Sequence, residues 1–469
     1  MNVAADITSP AASPDEFAAA MRRLCAWAAG LSAQAIPETI LRRAMLVLCD
    51  DIAAIVAARD ETELRALQDR VLARSGPAEA TVFRGGRPRA DRLSAAVANG
   101  AAADWCELDE GYRRATCHAG LYTIPALIAE AEATGASTRD MIRALVVGYE
   151  IAGRFARAFP FKKLVLHPHA SLAAVGAAAG VAALRRLDVQ TFVGALGSAS
   201  TMVAPGPYNH AVQGALVRNV WPAAGAWCGM QAVEWAECGI LGLPESPLFV
   251  FASAFGSEPR PAELVSGLGE EWAIADGYHK VHACCQYSHS AVEALLGILG
   301  ELGRPLPPED IRQITVETHQ LGMTLDNRLP ATTLASKFSI PHIMAVTAAF
   351  GHAGAEAFAS TTLDNPKIAR LRKHVVLRQF EPDLPWPTDR PARVTISLGD
   401  GSERRAECLS ARGGPDRPFA TEEIIGKIRT ITAPVYPSMT SVMERLISCD
   451  PGLFDTTWSD VVTRMVSRA

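Results

Sequence analysis

The first 265 or so residues read almost entirely as helix, and that run constrains the fold more than any other feature of the sequence. In "SPDEFAAAMRRLCAWAAGL", Ser13 is placed to cap a helix, Pro14 to open it, and Asp15 and Glu16 to face its N-terminal dipole. "IPETILRRAMLVLCDDIAAIVAA" spaces its apolar residues by three and four after a proline. Ser137 or Thr138 caps the long run that follows, and "NVWPAAGAWCGMQAVEWAECGI" carries Pro222 near its start. "HASLAAVGAAAGVAALRRL" has small residues along its length, so neighbouring helices can approach it closely. Few β-branched runs interrupt the series, which points to helices packed on helices, an all-α domain.

The character changes after about residue 276. "IRQITVETHQ" alternates, is rich in β-branched residues and follows the "PLPPED" turn, so it predicts a strand. "RVTISLGDGSERRAECLS" predicts a hairpin turning at Gly399-Asp400-Gly401. Helices at "SAVEALLGILGEL" and "FSIPHIMAVTAAFG" lie between them, making a smaller α+β unit. "ARGGPDRPFATEEIIGKIRTI" returns to helix with Thr421 as N-cap, and the last 50 residues read as helix that packs back on the first domain.

At 469 residues, 49% hydrophobic and 20% charged, the chain suffices for two domains, or one large and one small. A net charge of −5 offers no basic patch for nucleic acid, and no 18-residue apolar run predicts a membrane span. The ten cysteines show no CxxC spacing, and the adjacent Cys284 and Cys285 cannot readily pair. They read as reduced thiols in a reducing, cytoplasmic compartment. Residues 1–14 have neither a basic nor an apolar leader region and read as a disordered tail.

The stretch with the most chemistry is "NGAAADWCELDEGYRRATCHAG", Asn99 to Gly120, with Asp104, Glu107, Asp109 and Glu110 crowded ahead of His118. Carboxyls this close raise one another's pKa, so one of them can serve as a base near neutral pH. The structural alternative is that they cap a helix or pair with Arg113 and Arg114. Dinucleotide, P-loop and nucleophile-elbow patterns are absent from the sequence. His167-Pro-His169 resembles a metal pair but has no third ligand at a suitable spacing, so no metal is expected. Cys284 or Cys285 near His282 and His289 could form a thiol nucleophile, although buried structural cysteine is the simpler reading.

Taken in order, this stretch and "ALVVGYEIAGR", "HPHASLAAVGAAAGVAALRRLD", "KVHACCQYSHSAVEA", "KFSIPHIMAVTAAFG" and "GGPDRPFATEEIIGKI" resemble the MmgE/PrpD family. That family includes 2-methylcitrate dehydratase and cis-aconitate decarboxylase. The resemblance implies a mainly α fold, with a large helical domain from both chain ends (residues 15–275 and 413–469) and an inserted α+β lid (276–412). It also implies a homodimer without cofactor, acting on a small polycarboxylate. The implied reaction is a lyase reaction by proton abstraction next to a carboxylate, with dehydration of a 2-methylcitrate-like acid first. Decarboxylation, isomerisation or epimerisation on the same scaffold, and an inactive carboxylate-binding relative, are the alternatives.

The resemblance also assigns residues. Glu107 and Asp109 stand at the family's spaced aspartates, His118 and His167 at two of its histidines, and Lys280 at a lysine; these five are expected to be catalytic. Asp104, Arg218, His289 and His342 are expected to contact substrate. The chain departs from the family pattern in Asp104 for histidine, Glu107 for aspartate, Gly111 for threonine, Arg218 for lysine and His342 for tyrosine.

Overall fold

The computed structural model describes residues 12–161 and 164–467. Residues 1–11 of the expected tail lie outside these, and the first helix, Pro14–Gly30, already begins within its expected bounds. Ser13 Oγ accepts from the Glu16 amide at 3.1 Å, and Ser137 Oγ accepts from the Asp140 amide at 3.1 Å to open Thr138–Ala158. Both caps satisfy amides that a helix cannot satisfy itself.

The Pro168–Leu184 helix is buried at every position. Ala119–Thr134, Thr138–Ala158, Val189–Thr201 and Trp221–Glu237 pack around it. Its small side chains let Trp221–Glu237 come so close that a Cβ on Gly229 would lie 2.6 Å from the Ala174 carbonyl oxygen. Adding one methyl there would force the two helices apart. The helical part is not purely α. Ala80–Thr81 pairs with Arg89–Ala90, and Gly111–Tyr112 with Gly277–Tyr278. Two-residue strands have no alternation to read in a sequence. The second pair matters most here, because it ties the acidic stretch to the segment carrying Lys280.

The later residues form a four-stranded sheet. Ile311–Thr318 lies between Val375–Gln379, which runs parallel to it, and Ala392–Leu398, which runs antiparallel; Glu403–Cys408 closes the hairpin. Ile314, Val316 and Thr318 are buried on one face, as the alternation predicts, and Ile311 is also buried, beyond a register shift between it and Gln313. Val375–Gln379 was not expected, because "VVLRQ" is short and does not alternate. The His289–Leu302 helix covers the hairpin and Ile340–Phe350 packs on that helix.

The chain is thus mainly helical with a small sheet. Its last helices return to its first: Thr421–Thr432 and Met439–Ile447 pack on Glu38–Ala57, and Trp458–Met465 on Ala119–Thr134. Thr421 is the first residue of its helix and not its cap. Ala420 takes that position, and its amide donates to Glu423 Oε2 at 3.0 Å. All ten cysteines are free. Among the described residues no helix is long and apolar enough to cross a membrane.

Candidate active site

After the Arg92–Ala102 helix the chain turns tightly and carries its four acids inward. Asp104, Glu107, Asp109 and Glu110 are each 2% exposed or less. The alternative pairing with the following arginines does not occur, since Arg113 pairs with Asp389 and Arg114 with Asp276. Glu107 sits at φ +53°, a left-handed conformation that costs a non-glycine residue on the order of 1–2 kcal/mol. Its neighbours hold it there.

Those neighbours are two buried cations. Arg218, on the tight turn Leu216–Val220, pairs through Nη1 with Asp104 and, at 2.6 Å, with Glu107 Oε1. Lys280 Nζ lies 3.3 Å from Glu107 Oε2 and 3.1 Å from Asp109 Oδ1. His118, immediately before the Ala119–Thr134 helix, places Nδ1 2.6 Å from Asp109 Oδ2. His169 Nε2 is 2.6 Å from Asp104 Oδ2, and the Tyr122 hydroxyl is 2.9 Å from His169 Nδ1. His167 caps Pro168–Leu184 and turns Nε2 to Arg218 Nε at 3.2 Å. Its Nδ1 lies 3.3 Å from the His169 amide, and since amide and guanidinium both only donate, whichever nitrogen of the neutral ring is unprotonated has its lone pair facing a donor.

Burial pushes every one of these carboxyls up, and the cations decide which are overruled. Glu107 and Asp109 end below the usual range, Glu107 through Arg218 and Lys280, Asp109 through Lys280 and His118. Asp104 ends well above it, because burial and its two acidic neighbours outweigh Arg218. Burial also lowers Lys280, but Asp109 and Glu107 more than reverse that and keep it charged. Burial, then Arg218, drives His167 and His169 well down, so both rings are neutral.

Glu107, His118, His167, Arg218 and Lys280 line a narrow cleft with Tyr112, Tyr208, Tyr278, Tyr287, Phe338 and Arg390. Its free volume is about 40 Å³, room for about three waters. A larger cavity of about 890 Å³ adjoins it and shares Ala115, Thr116 and Pro168 with it, but touches none of the five. Asp104 and Asp109 stand behind the wall and meet the cleft only through their partners.

The other two expected contacts face elsewhere. His289 bonds the Cys284 carbonyl at 3.0 Å, and His342 faces Arg372 at 3.0 Å and Thr362 at 3.4 Å. For His342 the reason is its position in the first turn of Ile340–Phe350, which turns it onto Arg372 near the end of the Pro366–Lys373 helix. Cys285 does line the cleft, but burial pushes its thiol up to about 12, an inert state. Asp104, Glu107 and Asp109 each bring an oxygen within 4.8 Å of the others. Arg218 and Lys280 already engage all three carboxylates, so the position a metal would need is occupied by side-chain cations.

Tyr278 and Arg390 carried no sequence signal of their own. Gly111 was the one trace of Tyr278: a Cβ there would lie 2.6 Å from Tyr278 Cε1, so the phenol fills the space a side chain at 111 would occupy.

Comparison with known proteins places the chain in a family. The MmgE/PrpD N-terminal domain matches residues 22–254 and the MmgE/PrpD C-terminal domain residues 282–449. The chain belongs to the MmgE/PrpD family, and it is a lyase. It is 27% identical over 458 residues to the cis-aconitate decarboxylase of Aspergillus terreus, covering 92% of each chain. It is 26% identical over 450 residues to the cis-aconitate decarboxylase-like protein oryM of Aspergillus oryzae, covering 88% of this chain and 91% of that one.

Proposed function

We propose that the protein decarboxylates a small unsaturated tricarboxylic acid of the cis-aconitate type. The observation that carries this reading is the shortage of bases in the cleft. Glu107 is tied to two cations, the lone pair of His167 is occupied, and burial holds the cleft tyrosines and Cys285 protonated. Lys280 holds its protons against Glu107 and Asp109, which leaves His118, oriented by Asp109, as the lining side chain free to give or take a proton. Dehydration of a 2-methylcitrate-like acid needs both a base for carbon and an acid for the hydroxyl. Decarboxylation needs one proton.

In this reaction the carboxylate on the saturated carbon leaves as CO₂. Its bonding pair forms a new C=C bond, and the former double bond takes a proton at its far carbon from His118. Lys280 and Arg218 stabilise the negative charge that spreads onto the carboxylate of that far carbon, one of the two that remain. The two relatives support the choice of substrate. Exposed Trp227, Ile240, Leu243 and Phe249 support a homodimer, which light scattering would test.

The test is NMR in deuterated water with cis-aconitate and, separately, 2-methylcitrate. CO₂ release with one solvent deuteron in the product supports decarboxylation. Water loss from 2-methylcitrate alone would establish the dehydratase instead, and tight binding of either without turnover would establish a carboxylate-binding protein.

A further inference from the structure

Arg390 is the cleft cation with no carboxylate at hydrogen-bonding distance among the described residues. Arg218 and Lys280 each bond two carboxylates of the inner cluster. Arg390 is only 9% exposed and donates through Nη1 to the neutral Gln286 amide oxygen. Its Nε is buried without an acceptor. The nearest acid, Asp389, lies 3.8 Å from that Nε, and both of its oxygens are taken by Arg113. The guanidinium lies over the Tyr287 ring, 4.9 Å from its centroid, and the Arg390 carbonyl accepts from Ser290 Oγ at 2.6 Å, so the residue is fixed in place. A guanidinium has five donors and stays charged, and leaving those donors unmet away from water is costly. A planar fork held over an aromatic ring suits a carboxylate taken two-pronged.

We propose that Arg390 is a substrate-binding residue that holds a carboxylate the substrate retains, the one that Arg218 and Lys280 do not meet. This rests on the polycarboxylate reading of the cleft. It accounts for something that reading leaves open: the inner cations are already neutralised, so a substrate of several negative charges needs a further one. The segment that carries Arg390 begins the Ala392–Leu398 strand and is tied across the cleft by Arg113–Asp389 and by Arg114 stacked 3.9 Å over Trp386. The sheet thus supplies one end of the substrate site and the helices the other.

The experiment compares wild type, Arg390→Ala and Arg390→Lys. Steady-state kinetics on cis-aconitate are paired with thermal shifts induced by propane-1,2,3-tricarboxylate, which binds without reacting. Arg390→Ala is expected to raise KM by about 30-fold or more while kcat changes less than threefold, and to abolish the thermal shift. Arg390→Lys is expected to recover part of both. Unchanged KM and an unchanged shift in a folded Arg390→Ala would overturn the proposal while the decarboxylase reading stands. No turnover by wild type, with a thermal shift that depends on Arg390, would overturn the decarboxylase reading and keep this proposal. No shift in wild type at any ligand concentration would overturn both. If Arg390→Ala does not fold, Arg390→Lys decides alone: wild-type KM and shift would overturn the proposal.

Discussion

Asp109 and Glu110 are adjacent in the chain, and they belong to two buried acid clusters that are built oppositely. On one side Asp104, Glu107 and Asp109 meet Arg218, Lys280 and His118 at the cleft wall. On the other, Glu110 turns away to Asp50 and Asp51 of the Glu38–Ala57 helix. There Glu110 accepts from the Gly120 amide at 2.6 Å and from the Tyr149 hydroxyl at 2.8 Å, and the Glu110 amide donates to Asp51 at 2.9 Å. Among the described residues only Asp50 of these three pairs with a cation, Lys427 at 2.6 Å, and it also bonds His279 at 2.7 Å, a ring that burial lowers to about 4 and keeps neutral. Burial therefore raises Glu110 to about 8, and burial with Glu110 beside it raises Asp51. Depth is the same in both clusters. Burial raises every one of these carboxyls; the cations facing Glu107, Asp109 and Asp50 bring those three below the usual range, whereas Asp104, with one arginine against two acids, and Glu110 and Asp51, with neutral donors opposite, stay raised.

If that contrast holds, removing a cation should do far more damage than removing an acid of the second cluster. Lys280→Ala leaves Glu107 and Asp109 buried beside one fewer cation, and is expected to destabilise the fold by about 3–5 kcal/mol. Urea denaturation would show it as a lower midpoint with little change in slope. A variant of wild-type stability would mean the first cluster is not held by charge. His118→Asn should lower kcat by roughly 10²–10⁴-fold, the ordinary size of one proton-transfer group, while the fold persists. Wild-type kcat on the true substrate would move the proton to another residue.

Glu110→Gln tests the other side. A carboxyl raised from 4.5 to about 8 supports the fold fully below 4.5 and loses that support as the pH rises through 8. The glutamine variant should therefore remain more stable at pH 9 by a few kcal/mol, with turnover within about fivefold of wild type. A variant less stable at pH 9 than wild type would show that Glu110 is ionised and needed as such. The smallest effect is expected from chelation. With Arg218 and Lys280 engaging the acid triad, exhaustive EDTA dialysis should leave turnover unchanged, and loss restored by a divalent ion would refute that.

Much of the first cluster was legible in the sequence, because its members lie in one short stretch or in ordered motifs. The second was not. "LCDDIAA" reads as an ordinary helix with two acids, and nothing local shows that Asp51 meets the Glu110 amide 59 residues later. Arg390 was hidden for the same reason: an arginine before a strand carries no pattern, and its role depends on what crosses the cleft above it. The caps of Ser13 and Ser137 were readable because a cap acts over three residues. The cap assigned to Thr421 missed by one, since the backbone there turns at Ala420.

The cleft's 40 Å³ has a kinetic meaning. A six-carbon acid exceeds space for about three waters, so the cleft must widen before such an acid can enter. Association should then be slower than the ordinary 10⁵–10⁷ M⁻¹s⁻¹ and should level off with ligand concentration as opening becomes limiting. Arg113–Asp389 and Arg114–Trp386 tie the sheet side to the acidic stretch, so both are expected to loosen as the cleft widens. Weakening either tie should speed binding and release together.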